Sequence, residues 1–79
     1  MNSFSLRLKD LIQVSGKQLK DLGNEIGISK QKISHWQTGY CEPCIDDLII
    51  LANYFDVSID YLVGYEQEDG TLLNIKSNK

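Results

Sequence analysis

The amino-acid sequence predicts an all-α fold: one compact domain of five short helices over residues 1–65, followed by a short C-terminal tail over 66–79. Three observations carry this expectation. Apolar residues recur at helical spacing in five consecutive stretches, glycines and capping residues punctuate those stretches, and nothing before residue 64 alternates in the manner of a half-buried strand. Seventy-nine residues support one core and not two, because so short a chain buries only roughly 60% of the surface that its unfolded form exposes.

Ser3 is a candidate N-cap for the first helix, in which Phe4, Leu8, Leu11 and Ile12 share a face, and Gly16 stands where the chain needs a positive φ to leave it. The second helix, Gln18 to Ile26, places Leu19, Leu22 and Ile26 together and stops at Gly27 after about two turns. Ser29 caps a third helix running to Gln37, with Ile33 and Trp36 inward and Lys30, Gln31, Ser34 and His35 outward, and Gly39 ends it. Pro43 pushes Glu42 toward extended backbone before a fourth helix opens near Cys44, with Asp46 and Asp47 at its positive end and Leu48, Leu51, Ala52 and Phe55 on its buried face. Ser58 caps a fifth, made by Ile59, Tyr61, Leu62 and Val63 and closed by Gly64. The expected core is Leu8, Leu11, Leu22, Ile26, Ile33, Trp36, Leu48, Leu51, Phe55 and Leu62. The tail is polar and acidic apart from Leu72, Leu73 and Ile75, and is expected to be disordered or dimer-forming.

With 42% hydrophobic and 24% charged residues, the chain has the composition of an ordinary folded domain and not of a disordered one. No apolar run approaches the roughly 18 residues that a membrane span needs, and the first residues lack the basic and apolar pattern of a secretory signal. The chain is therefore expected to be intracellular, in the cytoplasm. The net charge of −3 hides a split. Residues 1–40 hold six basic and three acidic side chains, giving +3, whereas residues 41–79 hold two basic and eight acidic, giving −6. A polyanion would meet the amino half and be repelled by the rest.

Residues 18–37 thus form two short helices joined by a turn at Gly27, the second exposing a row of ammonium, amide, hydroxyl and imidazole groups. Here the sequence resembles the lambda-repressor and Cro type of helix-turn-helix domain, the XRE family. RLKDL at 7–11, GISKQKISHWQTG at 27–39, EP at 42–43 and LANYFDVSIDYLVG at 51–64 carry the resemblance, which covers about residues 4–65. It implies a lambda-repressor-like DNA-binding domain that recognises double-stranded DNA as a homodimer and regulates transcription, as a repressor on an inverted-repeat operator. It places Lys30, Gln31, Ser34 and His35 at base edges and Gln18, Ser29, Lys32, Thr38 and Tyr40 along the phosphate backbone. The chemistry suits those roles: lysine donates to guanine O6 and N7, glutamine pairs with adenine N6 and N7, and histidine donates or accepts. Gly23 stands where the family keeps alanine or glycine. The chain departs from the family at Leu19, where a phosphate-binding glutamine is common, at Lys17, where an apolar residue is common, and at Ile12 and Gln37, where an arginine and a glutamate often pair.

His35 has no carboxylate at i±4, and Ser34 beside it is no triad, since neighbours on a helix do not face each other, so no enzyme is expected. Cys41 and Cys44 form C-x-x-C, but a structural zinc site needs four ligands, so Cys44 is read as a helix cap and Cys41 as an exposed loop residue. No metal, cofactor, small-molecule ligand or membrane partner is expected. The alternative from another class is a protein-interaction module on the same fold, an antirepressor or toxin partner, which the acidic balance and Leu19 favour.

Overall fold

Local chemistry sets the ends of five successive helices in the computed structural model, which describes residues 3–65. These are α1 (Ser3–Ser15), α2 (Leu19–Ile26), α3 (Lys30–Thr38), α4 (Ile45–Phe55) and α5 (Ile59–Leu62). Ser29 caps α3 by accepting the Lys32 N–H at 3.1 Å, and Ser58 caps α5 by accepting the Tyr61 N–H at 3.0 Å. The terminator of α4 is Asp56, at φ 57° and ψ 47°, a left-handed conformation that aspartate tolerates better than most residues. No strand occurs among the described residues, and none of their helices is long and apolar enough to cross a membrane. The tail expected over 66–79 lies outside the described residues.

The helices enclose a core of Phe4, Leu8, Ile12, Leu22, Ile28, Ile33, Trp36, Leu51 and Leu62. Trp36 is its centre, fully buried and met edge-on by Phe4 with ring centroids 6.2 Å apart. Leu11, Ile26, Leu48 and Phe55, expected inside, pack at the edge of this cluster, while Phe4, Ile12 and Ile28 join its interior. Ile28 is the instructive member, because it belongs to no helix and so no periodicity marks it. α3 lies against both α1 and α2, and α5 closes the far side against α1 and α4. This leaves one face of α3 outward.

Candidate nucleic-acid interface

The angle between α2 and α3 is fixed by three residues. Gly27 leaves α2 at φ 75°, with nothing within 4 Å of the position a Cβ would take, so backbone conformation alone selects glycine there. Gly27 N–H and Ile28 N–H both donate to the Gly23 carbonyl, at 2.8 and 3.1 Å, and the buried Ile28 pins the turn to the core. A Cβ on Gly23 would lie 2.5 Å from the Ile28 carbonyl oxygen, so the close approach is between α2 and the turn itself.

With Ile33 and Trp36 facing inward, α3 presents Lys30 and Gln31, both exposed, and the half-buried Ser34 and His35. Among the described residues, Lys30, Gln31 and Ser34 are committed to no intramolecular side-chain hydrogen bond or ion pair. The imidazole of His35 rests against Tyr40 with ring centroids 4.7 Å apart, and Tyr40 is 76% exposed. Thr38 Oγ1 donates to the His35 carbonyl at 3.2 Å, so these three residues form one unit at the carboxyl end of α3. Gln18 is the N-cap of α2, exposed and making no side-chain capping bond. Ser29, by contrast, is engaged as the cap of α3.

Lys32 differs from the other expected backbone contacts. Its Nζ lies 3.5 Å from Asp47 Oδ2 and 5.8 Å from the centre of the Trp36 ring, so its side chain runs back toward α4. Asp47, read from the sequence as a helix-dipole acid, is buried at 7% exposure. The same Oδ2 receives Cys44 Sγ at 3.2 Å and Cys44 N–H at 3.4 Å. Burial pushes the Asp47 carboxyl up, but the Cys44 hydrogen bonds and the Lys32 ammonium outweigh it and hold the group below its ordinary value. Cys44 is the N-cap of α4 and Cys41 lies exposed in the preceding loop. No group of three or more His, Cys, Asp or Glu side chains among the described residues is placed to hold a metal.

The exchange of character at positions 17 and 19 has a structural cause. Leu19 packs against the core from the first turn of α2, and Lys17 reaches Glu25 Oε2 at 3.1 Å. Glu25 also accepts from the Tyr54 hydroxyl, which holds its carboxyl below the usual range with the help of Lys17. A cluster from the loop, α2 and α4 therefore clamps the outer end of α2.

Residues 8–62 match the family described as Helix-turn-helix. The chain is 32% identical over 65 residues to the HTH-type transcriptional regulator ImmR of Bacillus subtilis (strain 168), covering 82% of this chain and 51% of ImmR. It is 30% identical over 73 residues to the uncharacterised HTH-type transcriptional regulator YobD of the same organism, covering 92% of this chain and 65% of that one. The chain thus spans between half and two thirds of the length of these relatives. Among solved structures, a transcriptional regulator from Listeria innocua superposes with a TM-score of 0.74 at 32% identity, over 95% of this chain and 67% of that one. The SOS-response transcriptional repressor LexA from Eubacterium rectale superposes with a TM-score of 0.78 at 26% identity, over 98% and 82%. The periodicity, the Gly23–Gly27–Ile28 turn and the matched residues agree, and the chain belongs to the XRE-type helix-turn-helix family.

Proposed function

We propose that this chain binds double-stranded DNA sequence-specifically through α3 and regulates transcription, acting as a homodimeric repressor on an inverted-repeat operator of a bacterial or phage promoter in the cytoplasm. The observation that carries the reading is the outward face of α3, where Lys30, Gln31 and Ser34 stand on a rigid helix without intramolecular partners among the described residues. Side chains kept out of internal networks are available to base edges, and each good pairing would contribute about 1–3 kcal/mol of discrimination. His35 joins them, steadied by Tyr40, while Gln18, Ser29, Lys32, Thr38 and Tyr40 line the flanks that would meet phosphate. Regulation by a repressor of this kind is steric, the seated protein excluding polymerase.

Dimerisation is supported by two considerations. One recognition helix reads too few bases for useful specificity. In addition, Ile45 and Ile49 lie one turn apart on α4 and are 73% and 45% exposed, more apolar surface than an isolated domain profits from showing. Two copies related by a two-fold axis would present their α3 helices to half-sites about 34–36 Å apart. Similarity to HTH-type transcriptional regulators supports the regulatory role.

Selection of bound sequences from a random duplex pool at near-physiological salt tests the reading. Enrichment of an inverted repeat, with preference relaxed at one position per half-site by Gln31→Ala, is the expected result. Absence of enrichment, with weak and salt-insensitive binding, would favour the protein-interaction module to which the acidic carboxyl half points.

A further inference from the structure

Of the two lysines on α3, Lys32 is already partnered. Lys32 Nζ lies 3.5 Å from Asp47 Oδ2, and the two side chains are unequally placed, with 52% of the lysine side chain exposed against 10% of the aspartate. The carboxylate has therefore lost most of its water and depends on Lys32 and on Cys44 for compensation, whereas the ammonium keeps open solvent on one side. The weak face-on contact with Trp36 pulls the ammonium in the same direction.

We propose that Asp47 is a positioning residue that restrains Lys32 and thereby lowers the affinity of this domain for DNA phosphate without altering which bases it prefers. The inference rests on the DNA-binding reading above. A phosphate approaching Lys32 from its open side must share the ammonium with Asp47, and it brings its own negative charge toward a largely buried carboxylate held near Lys32 by the Cys44 N–H and thiol. Counterion release supplies a measurable signature. Each phosphate neutralised by a free lysine adds about 0.9 to the slope of log K against log salt. When the lysine arrives already paired, the ion shed by the phosphate is offset by one taken up at the abandoned carboxylate, and the increment shrinks.

Asp47→Asn isolates the charge, since the amide oxygen can still accept from the Cys44 N–H and preserve the first turn of α4. The experiment titrates the native protein, Asp47→Asn, Lys32→Ala and the double variant against one selected duplex and one random duplex, from about 50 to 200 mM salt. Asp47→Asn is expected to tighten binding to both duplexes by the same factor and to steepen the slope by up to about 0.9, which amounts to about a threefold greater loss of affinity across that salt range. Lys32→Ala is expected to flatten the slope by about 0.9 in the Asn background and by clearly less in the native one. Equal slopes for native and Asp47→Asn overturn the proposal, as does a gain from Asp47→Asn that survives intact without Lys32, since Asp47 would then act as a bulk charge. If Asp47→Asn melts below the assay temperature, the native and Lys32→Ala pair decides: a loss of the full 0.9 overturns the restraint, no change overturns the phosphate contact on which it acts, and an intermediate loss supports the proposal. Failure of the parent reading looks different, because the native protein would then show no salt-dependent duplex binding at all, and this inference would fall with it.

Discussion

Ser5 Oγ on α1 donates a buried hydrogen bond of 2.7 Å to the main-chain carbonyl of Trp36, thirty-one residues away in the last turn of α3. That carbonyl is one of the few in α3 without an intrahelical donor, and it also receives the Gly39 N–H at 3.2 Å. The carboxyl end of α3, which carries Thr38 and leads to Tyr40, is thereby anchored to α1. Replacing Ser5 by Ala should lower stability by about 1 kcal/mol or more, because the Ser5 bond is lost while the carbonyl keeps Gly39 as a partner and is not left unsatisfied. For a domain of this size the melting temperature should fall by about 4–8 °C. Thermal unfolding by circular dichroism checks it, and a variant as stable as the native protein would mean that water replaces the serine without loss.

The two glycines of the motif should respond to alanine for different reasons. At Gly23 the added methyl meets a backbone carbonyl at 2.5 Å, so α2 or the turn must move, and the helix-propensity gain of about 1 kcal/mol is outweighed by overpacking of about 1–3 kcal/mol. At Gly27 there is room, and the penalty is the left-handed backbone at φ 75°, about 1–2 kcal/mol. Only Gly23→Ala changes the angle between α2 and α3. The expected outcome is that Gly23→Ala weakens duplex binding even at temperatures where it is fully folded, whereas Gly27→Ala loses stability and keeps its affinity. Equal affinity of the two folded variants would remove the angular role of Gly23.

Much of this was legible in the sequence because it is local. Ser29, Gly39 and the period of Ile33 and Trp36 delimit α3 and decide which of its residues face out, and the Gly23–Gly27 pair marks the turn. What escaped depends on contacts between distant residues. Nothing in the composition of α3 says that Lys32 bends toward Asp47, or that Glu25 meets Tyr54 across twenty-nine positions. Ile28 sits in a turn and Asp56 terminates α4 without glycine, so neither periodicity nor punctuation betrays them. Leu19 departs from the family's common glutamine, and its packing on the core, a contact between distant residues, accounts for the apolar side chain.

Two depressed carboxyls set the acid limb of stability. Glu25 is held below its ordinary 4.5 by the Tyr54 hydroxyl and Lys17, and Asp47 lies below its ordinary 3.8 because its hydrogen bonds and Lys32 outweigh burial. A carboxyl lowered in the folded state contributes stability that is present above its ordinary value and is lost as pH falls through the folded value. The melting temperature should therefore decline below about pH 4.5, less steeply in Glu25→Gln, and less still when Asp47→Asn is added. At the alkaline end the sign reverses: Tyr54 and Lys17 are both raised, through Glu25 first, so their contribution holds below 10.0 and 10.5 and disappears above. Glu25→Gln should flatten that limb as well. Melting curves across the two windows decide the matter, and an Asn and Gln double variant with the native acid profile would sink it.

The cap of α4 is held by a weaker group than its position favours. Cys44 has the extended backbone of an N-cap at φ −82° and ψ 174°, and its thiol donates to Asp47 Oδ2 at 3.2 Å. Thiols are poor hydrogen-bonding groups, whereas serine is among the best N-caps, able to accept a first-turn N–H and donate to Asp47 at once. Cys44→Ser should therefore stabilise the domain by about 0.5–1 kcal/mol, while Cys44→Ala should destabilise it, since Asp47 would lose a donor that offsets its burial. Cys41, exposed in the loop, should tolerate serine with a change within about 0.5 kcal/mol. Denaturant midpoints under reducing conditions measure all three. If the C-x-x-C acted instead as a redox pair, the two serine variants would behave alike and differ from the native protein only after oxidation. An order of Ser, Cys, Ala at position 44 under reduction, with position 41 indifferent, assigns Cys44 to the cap.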